Sequence, residues 1–423
     1  MFKDRHLNPH NQIAIGGCRY ATGSRETARA SIGISGDRLA RVCMIATVSS
    51  ETVPESEDLD LSGWLVLPGF VNAHDHLHFS LFPRMGNPPY RNYVEWGDDI
   101  HSRYPDAGTK ARTVPKRVRL WWGGIRNLLC GVTTVCHHDP VWPELLREDF
   151  PVRVVREFGW GHSLALGGDL RQARAATPKG RAFIVHACEG VDVMSRDELR
   201  GLDRLGILDS DTVVVHGLAL DHQGVALMRE RGASVIVCPS SNKFLFERLP
   251  DLTKLREIEL IAIGSDSPLT AKGDLLDEVR FAIHACGISP SAAYDMVTTA
   301  PAAILRLQDA EGSIKQSGVA DLIAVRDTGE DPADRMKTLS MNDIELVIIG
   351  GRVQLASEAI WKRLPFSAKQ ALEPIAVDGR IRWLRAPVRA LLREAEEVLG
   401  TGEVWLGGRK LSSPQAAEAF DAC

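Results

Sequence analysis

The chain has 423 residues, long enough for one large domain and a smaller one. Its 44% hydrophobic and 25% charged residues, with a net charge of -5, describe an ordinary globular protein and exclude the strongly basic balance of a nucleic-acid or anionic-membrane binder. No stretch nears the ~20 apolar residues of a membrane span, and the opening MFKDRHLNPH lacks the apolar core of a signal peptide. The eight cysteines are scattered with no CxxC spacing, which predicts buried free thiols and a cytoplasmic location.

The first ~65 residues alternate short apolar runs with turns, as in IAIGG and ASIGISGDRLARV, then pass through the acidic segment SSETVPESEDLD. WLVLPGFVNAH is the next strand candidate, followed by a Pro- and aromatic-rich loop at roughly 80–108. A helix is predicted from about Thr113, with Val118, Trp121, Trp122, Ile125, Leu128 and Leu129 on one face. GVTTVCHH, FPVRVVREF, RAFIVHA, DTVVVHG, ASVIVCP and ELIAIGSD then read as short β-branched strands separated by helical segments. That alternation predicts an α/β fold, a (β/α)8 TIM-like barrel over 67–312. After Gly312 the β texture returns, so residues 1–66 and 313–423 are expected to form one small β-sandwich module. Its C-terminal extension carries a helix in PVRALLREAEEVLG, opened by Pro387 and ended by Gly400.

Chemistry in such a barrel gathers at the C-terminal strand ends. His74 and His76 end the first strand, and period two puts them on one face with Asp75 turned elsewhere. His186 ends RAFIVHA, His216 ends DTVVVHG and Asp266 ends ELIAIGSD. Four strands that each deliver His or Asp at one relative position indicate a metal site. Imidazoles with one carboxylate suit Zn²⁺ or Fe²⁺ rather than Mg²⁺ or Ca²⁺. Glu189, three residues after His186, is placed to pass protons beside the ion.

These motifs resemble the amidohydrolase superfamily, in its cytosine deaminase/chlorohydrolase-like branch. PGFVNAHDH resembles the family's opening HxH strand, HACEG its H-x-x-E element, VVVHG the next histidine strand, and GSDSP its aspartate strand. GVTTV, CPSSN and TTAPAAILRL with GSIKQSGVADLIAV match in order, so the resemblance runs from about residue 60 to 352. It implies one metal ion held by His74, His76, His186 and Asp266, with Glu189 as proton shuttle. His216 is implied to bind the ion's water or the substrate oxygen. Other branches place a carboxylated lysine at a strand end; Lys110, Lys116 and Lys179 end no strand run, which favours a single ion.

The implied reaction is hydrolytic deamination of a cyclic amidine of pyrimidine, purine, pterin or triazine type. The alternative keeps the ion and changes the leaving group to chloride, an alkylamine or a cyclic amide nitrogen. A non-catalytic binding protein would show a damaged constellation, and all six positions are present. A small heterocycle is thus the expected partner, with homo-oligomerisation implied by resemblance alone. One departure concerns the fourth strand. Fewer than thirty residues separate Glu157 from His186, so SLALGG is either a very short strand or the barrel is degraded there. His137, His138, Trp96 and Asn242 are further substrate-binding candidates, with His162, Tyr90 and Arg84 weaker ones. His78 is expected to support the site rather than ligate.

Overall fold

A computed structural model of the chain describes residues 12–44, 59–103, 108–166 and 168–414; most of the acidic segment, the first eleven residues and Cys423 lie outside the described residues. β1 (Gln12–Ala21), β2 (Thr27–Ser35) and β3 (Arg38–Met44) form an antiparallel meander, while β4 (Leu59–Asp60) and β5 (Trp64–Pro68) lie parallel to β1. The chain then leaves this sheet at Gly69 for the barrel and returns at β14 (Leu322–Arg326), antiparallel to β5. β15 (Ile344–Ile349), β16 (Arg352–Ser357), β17 (Glu373–Val377), β18 (Arg380–Leu384), β19 (Trp405–Leu406) and β20 (Arg409–Ser412) extend it, so strands from both chain ends share one sheet. Alternation along the strands divides its faces. Ile32, Leu322, Leu346 and Ile348 fill a core of the sheet's own, and Ile323, Val325, Val347 and Leu355 join the core that runs under the barrel helices.

The barrel strands are β6 (Phe70–Asp75), β7 (Val132–His137), β8 (Arg153–Val154), β9 (Gly159–Gly161), β10 (Phe183–Ala187), β11 (Thr212–His216), β12 (Ser234–Val237) and β13 (Ile261–Ile263). They are parallel, in two hydrogen-bonded runs, β6 to β8 and β9 to β13. The bond from the Asp266 amide to the His74 carbonyl (3.1 Å) brings the end of β13 to β6. Val71, Ala73, Cys136, Ile184, Val213, Val215, Ile236 and Ala262 fill the interior; Val135, Val185, Val214, Val235 and Ile263 face the helices. Burial on both faces explains why these strands read as unbroken β-branched runs.

Four expectations need adjustment. SLALGG is not the fourth strand: that strand is β9, the GWG just before it. Its glycines make room, since a Cβ on Gly159 would meet Thr177 Oγ1 at 1.8 Å and one on Gly161 would meet Leu170 Cδ2 at 2.3 Å. FPVRVVREF shrinks to the two residues of β8, where Arg153 is bound by Asp321. The long helix is Lys116–Leu129, because Pro115 admits only the first turn. Trp96 lies on a helix, Tyr93–Ser102, and not in a loop.

Behind the first strand end sits a buried polar network. Asp75 points out of the barrel and accepts from Arg126 Nη2 (2.7 Å), Asn127 Nδ2 (2.7 Å) and Ser265 Oγ (3.2 Å). Arg126 also donates to the Asp266 carbonyl (3.0 Å), and Asn72 bonds Asn127 and Ser265, each at 2.8 Å. Helix, first strand and last strand are thereby tied at the level where His74 and Asp266 emerge. Gly123 lets the helix come this close: a Cβ there would meet the Leu77 carbonyl oxygen at 2.3 Å. Arg126→Met strands a buried carboxylate and is expected to cost about 3–5 kcal/mol in a denaturant unfolding titration. Changing Asp75→Asn in the same chain is expected to recover part of that loss.

Candidate metal centre and active site

His74, fully buried, leaves β6 facing the barrel mouth, and His76 follows on the same side; Asp75 between them is committed to Arg126. His76 Nδ1 lies 2.6 Å from Asp139 Oδ2, just past β7. Asp139 is not among the residues the sequence singles out; its signal is an acid directly after the strand-end pair His137–His138. His186 reaches the same point from β10, its Nδ1 donating to the His162 carbonyl (2.9 Å). His74 Nε2 and His186 Nε2 stand 3.3 Å apart. Asp266 Oδ1 lies 3.7 Å from His74 Nε2 and 3.8 Å from His76 Nε2. His216 Nε2 faces Glu189 Oε1 at 3.5 Å and Asp266 Oδ2 at 4.0 Å. All six residues singled out for metal chemistry thus converge, from four strand ends.

The backbone at these ends is unusual. Cys188, His216 and Asp266 have φ of 57°, 75° and 51°, in the left-handed region that non-glycine residues seldom enter. Each turns the chain sharply out of its strand. The turn at Cys188 sets Glu189 over the mouth, and its neighbours hold it there. Glu198 accepts from the Cys188 amide (2.8 Å) and from Tyr93 Oη (2.7 Å), while Tyr93 N donates to the Glu189 carbonyl (3.2 Å). Gly264 is required at the end of β13, where a Cβ would come within 2.6 Å of His74 Cβ.

Electrostatics favour a cation at the centre. Burial drives His74 down, His186 well down and His216 to about 3, leaving neutral imidazoles. Burial also lowers His76, but Asp139 and Asp266 outweigh it and raise the ring to about 8. Asp266 is held below the usual carboxylate range despite burial, because three histidines surround it. Burial and Asp266 push Glu189 well up, which suits a group that must hold and release a proton.

The donor set fits a divalent ion. His186 spends Nδ1 on a carbonyl, so its Nε2 is a bare lone pair, and His74 Nδ1 is buried without a partner. The 3.3 Å between the two Nε2 atoms is the spacing of two nitrogens about 2.0–2.1 Å from a shared tetrahedral zinc. Asp139 orients His76 as the outer partner of a ligating histidine does. Lys110 and Lys116 lie on helices and Lys179 in a turn, so none of the three ends a strand.

The remaining candidates divide. His138 packs on His186 with ring centroids 4.4 Å apart, and His162 lies 5.0 Å from the same ring. Asn242 belongs to the helix Pro239–Phe246 instead of ending a strand, and its Nδ2 lies 3.2 Å from His216 Nδ1. It therefore holds His216 with the ring proton on Nε2, toward the two carboxylates. His137 Nδ1 accepts from the Leu77 amide (3.2 Å), and His78 lies 3.5 Å from Asp139. Trp96 donates to the Met85 carbonyl (3.0 Å), Tyr90 to Asp99, and Arg84 covers the Phe244 ring.

Known proteins match this chain in sequence and in fold. Residues 161–354 match the Amidohydrolase family. A 5-methylthioadenosine/S-adenosylhomocysteine deaminase of Archaeoglobus fulgidus is 24% identical over 317 residues, covering 61% of this chain and 70% of its own. Two solved structures share the fold. The zinc complex of atrazine chlorohydrolase from Arthrobacter aurescens has a TM-score of 0.68 at 15% identity, covering 91% of this chain and 99% of its own. A zinc-bound adenosine deaminase from Xanthomonas campestris has a TM-score of 0.65 at 18% identity, covering 91% and 97%. The strand-end histidines, the aspartate strand and the matched sequence lead to one conclusion: residues 161–354 of this chain carry the sequence of the Amidohydrolase family.

Proposed function

We propose that the chain is a hydrolytic deaminase of cyclic amidines, an aminated pyrimidine, purine, pterin or triazine, working with one zinc or iron(II) ion. The observation that carries this reading is the meeting of Glu189, His216 and Asp266 on one side of the His74–His76–His186 cluster. The superfamily and its deaminase relatives make the chain a hydrolase of carbon–nitrogen bonds. Two zinc-bound neighbours support the choice of ion. Residues 67–312 carry the chemistry in this reading. Residues 1–66 and 313–423 form the β module that supports the barrel, and the described cysteines stay free thiols. Among the described residues no helix is long and apolar enough to cross a membrane.

His74, His76, His186 and Asp266 would hold the ion, which supplies the Lewis acidity that activates water at neutral pH. Asp266 takes the first proton of the attacking water. The water oxygen bonds to the sp² carbon, and the C–N bond to the amino group breaks. Glu189 gives its proton to the ring nitrogen, takes the second water proton from the new C–OH and passes it to the departing amine, so ammonia leaves and a ring carbonyl remains; the proton on Asp266 then returns to Glu189. His216, its Nε2 proton turned inward by Asn242, stabilises charge on the incoming water oxygen; one such donor is worth about 3 kcal/mol.

Three outcomes are expected. Incubating zinc-loaded protein with a panel of aminated heterocycles releases ammonia in a coupled assay; chloride or alkylamine release instead identifies the alternative leaving group. Glu189→Gln lowers kcat by about 10²–10⁴-fold with metal content unchanged by elemental analysis. Dialysis against a chelator abolishes turnover, and added zinc restores it; full turnover by metal-free protein refutes the mechanism.

A further inference from the structure

His138 follows β7 and is 1% exposed. Its Nε2 lies 3.2 Å from the carbonyl oxygen of Gly161 on β9. A carbonyl only accepts, so Nε2 carries the ring proton. Nδ1 is then a bare lone pair, and it is buried with no hydrogen-bond partner. His76 and His186 are built the same way. Each commits one nitrogen to an oxygen, of Asp139 and of the His162 carbonyl, and keeps the other for the centre. His137 is the opposite case: its Nδ1 accepts from the Leu77 amide, so its free nitrogen bears the proton and cannot ligate.

The ring positions agree. One nitrogen from each of His74, His76, His138 and His186 lies within 4.8 Å of those of the other three. His138 sits 4.4, 5.0 and 5.9 Å, centroid to centroid, from His186, His74 and His76. Those three rings are 4.9–5.5 Å from one another. Imidazoles bound to one ion at ~2.0–2.1 Å place their centroids about 4.5–5.2 Å apart between the right and tetrahedral angles, and further apart at wider ones. His138 therefore shows the spacing of a co-ligand.

We propose that His138 is a further ligand of the same ion, so that four imidazoles and Asp266 surround it. The inference rests on the metal-site reading above and changes what the site is: a five-donor, nitrogen-rich centre that draws its fourth imidazole from β7. β9 takes part through its backbone alone, because Gly161 offers the carbonyl that fixes the His138 tautomer.

X-ray absorption on the zinc-loaded protein tests it directly, because outer-shell imidazole scattering counts the rings. The expected count is four in the parent and three in His138→Gln. Chelator competition is expected to show at least the ~10-fold weaker binding typical of losing even an outer partner. The cobalt(II) form of the variant is expected to absorb more intensely in the visible as its coordination number falls. A count of three in the parent, which needs no variant, overturns the proposal. So does a folded His138→Gln protein with unchanged affinity and cobalt spectrum. Absence of stoichiometric metal from the parent, or its full retention by His74→Ala, instead refutes the metal site itself.

Discussion

Bare imidazole nitrogens forced together out of water are the constraint on which this molecule turns. His74 and His186 bring Nε2 atoms to 3.3 Å, inside a pocket where both rings are buried. His186 Nε2 is a lone pair because Nδ1 is bound to a carbonyl, and the His74 Nε2 facing it can share a proton with it or join it on a cation. The carboxylates of Asp266 and Asp139 add to the attraction for a divalent cation. The surrounding fold can be read as the apparatus that keeps these rings from swinging apart.

That apparatus acts at three levels. Strained strand ends at Cys188, His216 and Asp266 aim side chains into the mouth. Buried hydrogen bonds then lock three of the rings: Asp139 on His76, the His162 carbonyl on His186, Asn242 on His216. Beneath them the Asp75–Arg126 pair, with Asn72, Asn127 and Ser265, clamps the first strand to the last and to the helix Lys116–Leu129. A buried ion pair of this kind adds little net stability over apolar packing. Its value here is geometric, since Arg126 touches both Asp75 and the Asp266 carbonyl.

Glu189 is held by a separate set of contacts. The segment around Asn92 and Tyr93 bridges to Gly190 and the Glu189 carbonyl, so the end of the loop after the first strand is docked beside Glu189. Glu198, raised by burial to about 7, anchors the same turn through the Cys188 amide. The segment that enters the helix Tyr93–Ser102 and the turn that carries Glu189 thus form one structural unit.

The sequence alone determined the barrel, and the residues that converge at its mouth, wherever the signal was local. Period two placed His74 and His76 together, strand-end position marked His186, His216 and Asp266, and β-branched runs marked the buried strands. It failed where the cause was a distant neighbour. GWG does not read as a strand because its glycines answer to Thr177 and Leu170, not to hydrophobic burial. Asp139 and Arg126 look like ordinary polar residues until His76 and Asp75 arrive beside them. The tautomer of each histidine, and so whether it can donate a lone pair, was decided only by tertiary structure. A ring's protonated nitrogen is chosen by the oxygen it meets, and for His138 that oxygen belongs to a strand 23 residues away.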